Sequence, residues 1–321
     1  MELWYNKNTA PTFDIKTSKS ILHPFTFGNY KGHTLNVYQG CQHRCGYCYA
    51  TYEWSPEFYD KIYAKNNAPE LLENEIKNWS SGTIEPVMIS SATDAYQPAE
   101  LKYELTRKCI RVLQKYNIPY YVFTKSTLIS RDLTLHEKYK NNCFVVWSIT
   151  TCDENIRRCI EPGTPPVSVM FKIMRNFANR GIRTAVNIDP IIPLITDSLA
   201  DIDTIITNCQ TAGVKNVFGA FLRIRFDIWQ RIKVIFKLLN KESDLLIEQY
   251  NKLYNFTDPI RHNYNLKIDR NYEISFLHDL EKKVRETGMS VGFPSLKGIS
   301  YGKRSIFKNV DRNQLALTDY F

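Results

Sequence analysis

The sequence predicts an α/β fold: a partial (β/α)6 TIM-like barrel, with an irregular N-terminal segment and a mainly helical C-terminal extension. Two observations carry the prediction. From residue 33 onward, short apolar runs alternate with stretches whose apolar residues recur every three or four positions. Such alternation implies parallel strands joined by right-handed crossovers. It repeats six times and then changes character near residue 222, two units short of a closed eight-fold barrel.

Residues 1–32 contain Pro11, Pro24 and Gly28 and no sustained period, so they read as irregular. The first strand is His33-Thr34-Leu35-Asn36-Val37-Tyr38, and the second is Pro86-Val87-Met88-Ile89-Ser90-Ser91. A helix follows with Leu101, Leu105, Cys109, Val112, Leu113 and Tyr116 on one face. Residues 118–124 form the third strand, and Ser130 or Asp132 caps a helix running to about residue 140. The fourth strand spans 143–150. A helix marked by Met170, Ile173, Met174 and Phe177 then closes at Gly181. Residues 182–188 make the fifth strand. A helix marked by Leu199, Ile202, Ile206 and Cys209 closes at Gly213, and 214–222 is the sixth strand. Beyond it, 223–241 reads as a basic amphipathic helix extended by 245–254, and 272–287 as another helix. The tail from 295 is basic and irregular. The chain therefore divides into an N-terminal extension (1–32), a core (33–222) and a C-terminal extension (223–321) that is a candidate cover for the substrate site.

With 43% hydrophobic and 23% charged residues the composition is that of a globular chain. No apolar run approaches the roughly 20 residues needed to span a bilayer, and the first residues lack the apolar stretch of a secretion signal. A cytoplasmic setting with no membrane partner is expected, and eight cysteines are too few for a disulfide scaffold of this length. The net charge of +9 suits a polyanionic partner, although a generally basic enzyme carries the same charge.

Chemistry concentrates in Gly40-Cys41-Gln42-His43-Arg44-Cys45-Gly46-Tyr47-Cys48-Tyr49-Ala50. Three thiolates spaced Cys-x-x-x-Cys-x-x-Cys on one loop can hold three irons of a four-iron cluster, which normally takes four cysteines. The next cysteine is Cys109, so one iron is left open for an outside ligand. Zinc is the competing occupant. It favours two paired knuckles, and no second Cys-x-x-Cys exists here. Cys41, Cys45 and Cys48 are therefore the predicted metal ligands, and His43 is placed beside them rather than among them.

This motif resembles the radical S-adenosylmethionine superfamily. The longer pattern Asn36-Val37-Tyr38-x-Gly40-Cys41-x-His43-x-Cys45-x-Tyr47-Cys48-Tyr49-Ala50 resembles its spore photoproduct lyase-like branch, often labelled "DNA repair photolyase". So do Thr93-Asp94-x-Tyr96-Gln97-Pro98-x-Glu100, Thr124-Lys125-Ser126 and Ser148-Ile149-Thr150, in the expected order across residues 33 to 222. The resemblance implies a [4Fe-4S] cluster whose open iron chelates S-adenosylmethionine, and an external one-electron reductant of flavodoxin or ferredoxin type. Reductive cleavage would then yield a 5′-deoxyadenosyl radical that abstracts hydrogen from substrate.

By the same resemblance, Lys125 is a candidate partner for the methionyl carboxylate and Ser148 a donor to it. Ser90, Ser91 and Thr93 fall where the methionyl amino group is met, and Asp94 either binds that ammonium or caps the turn before Pro98. Asn187 is a candidate adenine or ribose contact, or a turn residue. Tyr47 and Tyr49 are candidates for radical relay, with shielding of the cluster the competing role, favoured at Tyr49. Arg223 and Arg225 are placed to reach a phosphate-bearing substrate.

One departure stands out. The lyase has a cysteine after the second strand that returns hydrogen to the product radical. This chain has Ser90-Ser91-Ala92-Thr93-Asp94-Ala95 there, leaving Cys143, Cys152 and Cys159 as substitutes. The substrate thus stays open between nucleic acid, favoured by charge and by aromatic–basic interleaving at 221–237 and 297–308, and a peptide or small molecule. A zinc-binding interaction protein is the non-enzyme alternative.

Overall fold

The computed structural model describes residues 3–7, 9–27, 30–52, 57–80, 82–260 and 265–301. Its strands are β1 (Thr12–Lys16), β2 (Leu22–Phe27), β3 (Tyr30–Leu35), β4 (Tyr38–Gln39), β5 (Lys61–Lys65), β6 (Gly82–Ile84), β7 (Val87–Ile89) and β8 (Tyr120–Thr124). Then come β9 (Cys143–Ser148), β10 (Arg183–Ile191), β11 (Asn216–Phe221), β12 (Ser290–Val291) and β13 (Ile299–Tyr301). The helices are α1 (Ala68–Lys77), α2 (Glu100–Tyr103), α3 (Leu105–Lys115), α4 (Leu133–Glu137) and α5 (Glu154–Ile160). They continue with α6 (Val167–Asn179), α7 (Leu199–Thr211), α8 (Phe226–Leu238), α9 (Asp244–Tyr254) and α10 (Arg270–Glu286). No helix among the described residues is long and apolar enough to cross a membrane.

The six expected strands are β3, β7, β8, β9, β10 and β11, and they neighbour one another in that order with parallel pairing. β12 adds a seventh parallel strand beside β11, and β2 pairs antiparallel with β3 at the far edge. Those two edges do not pair with each other among the described residues, so the barrel is incomplete, as expected.

Each central strand is buried on both faces, and its alternate residues enter different cores. In β9, Cys143, Val145 and Trp147 join the helices, with Trp147 set edge-on to Phe177 of α6 at 5.4 Å. Phe144 and Val146 point the other way and meet Met88, Tyr121, Ala185 and Phe218 on the inner face. Phe293 plugs that face: its ring lies 4.7 Å from Tyr121, and the Tyr121 hydroxyl donates to Pro294 O at 2.9 Å.

Several expectations need correction. The N-terminal segment is not irregular: β1 pairs with β5 and β2 with β3. Every residue of β1 is exposed, so it carries no buried-face alternation to betray it. The first core strand stops at Leu35, and Tyr38 pairs with β5 in a separate three-stranded sheet. The single helix expected from 101 is two. Glu104 turns left-handed (φ 52°), and the buried Glu100 carboxylate accepts from the N–H groups of Thr106 and Arg107, starting α3 afresh. Leu101 is in consequence 65% exposed rather than on the core face. Asp132 makes no side-chain cap for α4, and its carboxylate is held by Arg107 and Arg131 instead. The tail beyond residue 301 lies outside the described residues.

Candidate cofactor site

Register alone gathers much of the site. On the inner face, Tyr121 and Phe123 of β8 are followed two residues on by Lys125, and Phe144 and Val146 of β9 by Ser148. Ala185 of β10 is followed by Asn187, which pairs with Ser148. The inner wall therefore changes from aromatic and aliphatic to polar at the C-terminal ends of the strands, where functional groups of parallel α/β folds collect.

The cysteine loop lies over that end. Cys41 and Cys45 are buried, Cys48 is half-buried, and all three are free thiols. Gly40 adopts φ +84°, and a Cβ there would stand 2.3 Å from Lys61 O, so only glycine fits. The Gln42 backbone N–H donates to Gln97 Oε1 at 3.1 Å, and Gln97 Nε2 donates back to Gly40 O at 3.1 Å. Tyr59 donates to Cys45 O at 2.7 Å. Gly163 N donates to His43 O at 3.0 Å, and a Cβ on Gly163 would lie 2.2 Å from Gln42 O. His43 faces Asp94 at 3.3 Å; burial opposes its charge, but Asp94 and Cys41 raise its pKa to about 10.

A buried charge network sits beside the loop. Lys125 Nζ donates to Glu161 Oε1 at 2.9 Å, Ser148 O at 3.2 Å and Thr150 Oγ1 at 3.4 Å. The Tyr47 hydroxyl donates to the same Glu161 oxygen and lies 3.2 Å from Thr150 Oγ1. Burial works against both charges. Even so, Lys125 and the hydrogen bonds of Tyr47 and Thr150 hold Glu161 below the usual carboxylate range, while Glu161 and Cys45 hold Lys125 above the usual amine range.

The remaining predicted residues divide into two kinds. Asp94 is saturated: Oδ1 accepts from Tyr96 N and Thr124 Oγ1, both at 2.8 Å, and Oδ2 from Lys125 N at 2.6 Å. That geometry is a turn cap joining the ends of β7 and β8. Ser91 Oγ is likewise engaged, by Thr34 at 2.9 Å and Asn36 at 3.2 Å. By contrast, Ser90 Oγ, Thr93 Oγ1 and Asn187 Oδ1 are buried with no hydrogen-bond partner among the described residues. Buried polar atoms are almost always paired, so orphans on one rim mark a place for a polar ligand. Ser90 also has φ 65°, a strained value for a residue with a side chain. Tyr49 is 51% exposed and donates to Ser91 O, at the rim rather than in the network.

These residues fit the expected cofactors. Cys45 is raised well above an ordinary thiol by burial, then by the charge of Glu161, with Cys41 and Cys48 adding to it and Lys125 opposing, so a thiolate there meets repulsion. Coordination to iron relieves that repulsion. Among the described residues no three His, Cys, Asp or Glu groups converge where a single ion could sit. Three thiols bound to three separate irons need no such convergence, so the geometry is compatible with a cluster.

Sequence reasoning missed Glu161, Asp189 and Arg231. Glu161-Pro162-Gly163, a rigid turn directly after a helix, was the available signal for the first. Asp189 sits by Asn187 (3.4 Å), its carboxyl raised by burial. Arg231 of α8 donates to Gly46 O and Cys48 O from the C-terminal extension. Two further basic residues of that helix have acidic partners in the same chain, Lys233 the part-buried Asp258 and Lys237 the exposed Glu242. Of the substitute thiols, Cys143 opens β9 at the opposite end of the strand from the site. Cys152 lies against Asn208 of α7, and Cys159 is on α5.

The chain resembles known proteins in the same sense. It is 29% identical over 233 residues to an uncharacterized protein of Mycobacterium tuberculosis, covering 69% of this chain and 67% of that one. It is 31% identical over 170 residues to an uncharacterized protein of Methanocaldococcus jannaschii, covering 51% and 62%. A spore photoproduct lyase solved with bound AdoMet and dinucleoside spore photoproduct shares the fold at TM-score 0.66 and 14% identity, over 88% of this chain and 82% of that one. Residues 35–207 match the model of the Radical SAM superfamily. With more than half its length matched and a cysteine loop of the required form, the chain belongs to the radical SAM superfamily, whose members use a [4Fe-4S] cluster and S-adenosylmethionine.

Proposed function

We propose that Cys41, Cys45 and Cys48 hold the cluster, that S-adenosylmethionine lies along the polar inner wall, and that the enzyme abstracts hydrogen from a polyanionic substrate, nucleic acid. The observation that carries the site is the set of orphaned buried atoms on Ser90 and Thr93, just past the end of β7, and on Asn187, paired with the last residue of β9, in a chain with three free thiols on one loop. Together the bound groups supply a 5′-deoxyadenosyl radical, the hard step that the protein itself need only orient and shield. Ser90 and Thr93 offer unsatisfied hydroxyls to the methionyl end, and Asn187 an unsatisfied amide oxygen to the nucleoside end. Lys125 has three N–H donors and three present partners; the 3.4 Å bond to Thr150 is the weakest and the one it exchanges for a carboxylate. Tyr47, buried and held by Glu161, is the relay candidate, and Tyr49 at the rim shields the cluster. Residues 33–222 form the core of this reading, flanked by extensions 1–32 and 223–321, in a cytoplasmic enzyme fed by a flavodoxin- or ferredoxin-type reductant.

Nucleic acid is supported by the net charge of +9 and by Arg223, exposed just past β11. One observation favours a peptide or small molecule instead: Arg231 and Lys233 of α8 are turned to partners within the chain, Asp227 and Asp258. Oligonucleotide binding across a salt series separates the two. Binding whose affinity falls steeply with salt supports nucleic acid, and no binding at low salt rejects it. The chemistry is tested by anaerobic reconstitution, then dithionite and S-adenosylmethionine, with 5′-deoxyadenosine as the readout. Cys45→Ala should abolish its formation. A colourless, iron-free product from the parent chain would instead favour the zinc reading.

A further inference from the structure

The C-terminal extension reaches into the cofactor site through one side chain. Arg231 is buried on α8 and donates from Nε to Gly46 O at 2.6 Å, and from one terminal nitrogen to Cys48 O at 3.0 Å and Thr51 Oγ1 at 3.1 Å. Its other terminal nitrogen donates to Asp227 at 2.7 Å, one turn earlier on the same helix. Thr51 closes the set: its Oγ1 lies 3.0 Å from both Cys48 O and Asp227 Oδ2, and its single proton is donated to one of the two. A planar guanidinium thus spans the two carbonyls that flank Tyr47, with its orientation fixed by Asp227. Gly46 lies so close to α8 that a Cβ on it would stand 2.9 Å from Ile235. The third cysteine is therefore set in space by a helix more than 180 residues further along the chain.

We propose that Arg231 is a positioning residue for the cluster: its two carbonyl bonds hold Cys48 in place, and its charge stabilises electron density on the sulfur of that ligand. The inference rests on the cluster assignment of Cys41, Cys45 and Cys48. Side chains that orient metal ligands typically change metal affinity 10- to 100-fold when removed (about that order). The charge stands near the sulfur as well: a guanidinium nitrogen lies 3.0 Å from the carbonyl oxygen of Cys48, on the ligand residue itself, and a positive charge at that range favours the charged form of a thiolate.

Two substitutions separate the bonds from the charge. Arg231→Lys keeps the charge but has no rigid fork to span two carbonyls, and Arg231→Gln keeps donors without charge. After anaerobic reconstitution of the full chain, iron loss to a chelator is timed, and the reduced cluster is examined by electron paramagnetic resonance and redox titration. Both variants should lose iron about 10-fold faster or more. Arg231→Gln should also move the midpoint to more negative potential, while Arg231→Lys leaves it near that of the parent. Lys233→Gln, on the same helix but facing Asp258, should match the parent in every readout. Iron retention, spectrum and midpoint all unchanged in both Arg231 variants would overturn the proposal while leaving the cluster assignment standing. A parent chain that binds no iron would overturn that assignment itself. If Arg231→Gln does not fold, the iron-loss rate of Arg231→Lys decides the matter alone.

Discussion

One oxygen of Glu161 receives both the Lys125 ammonium, at 2.9 Å, and the Tyr47 phenol. The end of α5, the end of β8 and the cysteine loop therefore meet on a single buried carboxylate. Glu161→Gln should leave the Lys125 charge buried and uncompensated, at a cost of about 3–5 kcal/mol. Urea unfolding of the apoprotein measures this, and a loss below about 1 kcal/mol would show that the network does not bind these segments together.

The same pair sets a pH window. Glu161 is depressed below 4.5 in the folded state, so its contribution is complete above that value and is lost as pH falls through its folded pKa. Lys125 is raised above 10.5, so its contribution is complete below that value and is lost as pH rises through its folded pKa. The double variant Glu161→Gln, Lys125→Met should flatten the acid limb of the stability profile relative to the parent. Parallel acid limbs in the two proteins would contradict the assignment.

Gly40→Ala places a methyl 2.3 Å from Lys61 O and demands φ +84° of a residue with a Cβ. The left-handed backbone alone costs about 1–2 kcal/mol, and the clash is with backbone that cannot swing away. We expect reconstituted iron per chain to fall sharply, whereas Gly288→Ala, which carries the same left-handed cost (φ +78°) but whose Cβ meets open space away from the cysteine loop, should load normally.

Tyr47 and Tyr49 should differ when changed to Phe. The buried Tyr47 leaves a charged acceptor short of a donor, for about 1–3 kcal/mol. Tyr49→Phe, half exposed, should fall within about 0.5 kcal/mol of the parent. Thermal or urea unfolding checks the pair, and equal effects would deny Tyr47 its place in the network.

How far these features could be read from the chain follows from the range over which they act. The strand 143–150 was plain because Cys143, Phe144, Val145, Val146 and Trp147 are apolar on both faces, as a central parallel strand requires. The cysteine loop was plain because its three ligands lie within eight residues. The break at Glu104 was hidden, since helical periodicity continues through it and only the folding-back of the Glu100 carboxylate onto the N–H groups six and seven residues on reveals the restart. Asp94 was left between two roles because its partners Thr124 and Lys125 lie about thirty residues away. Glu161 and Arg231 were hard to see for the same reason: each acts on residues more than thirty positions distant, and only the Glu161-Pro162-Gly163 turn gave a local hint, for the first.

The ties on the cysteine loop run from Tyr59, 14 residues beyond Cys45, to Arg231, 185 residues beyond Gly46. A ribosome must release most of the polypeptide before all of these ties can close. The loop that carries the three thiols therefore gains its full set of hydrogen bonds only once α8 is present to close the last of them.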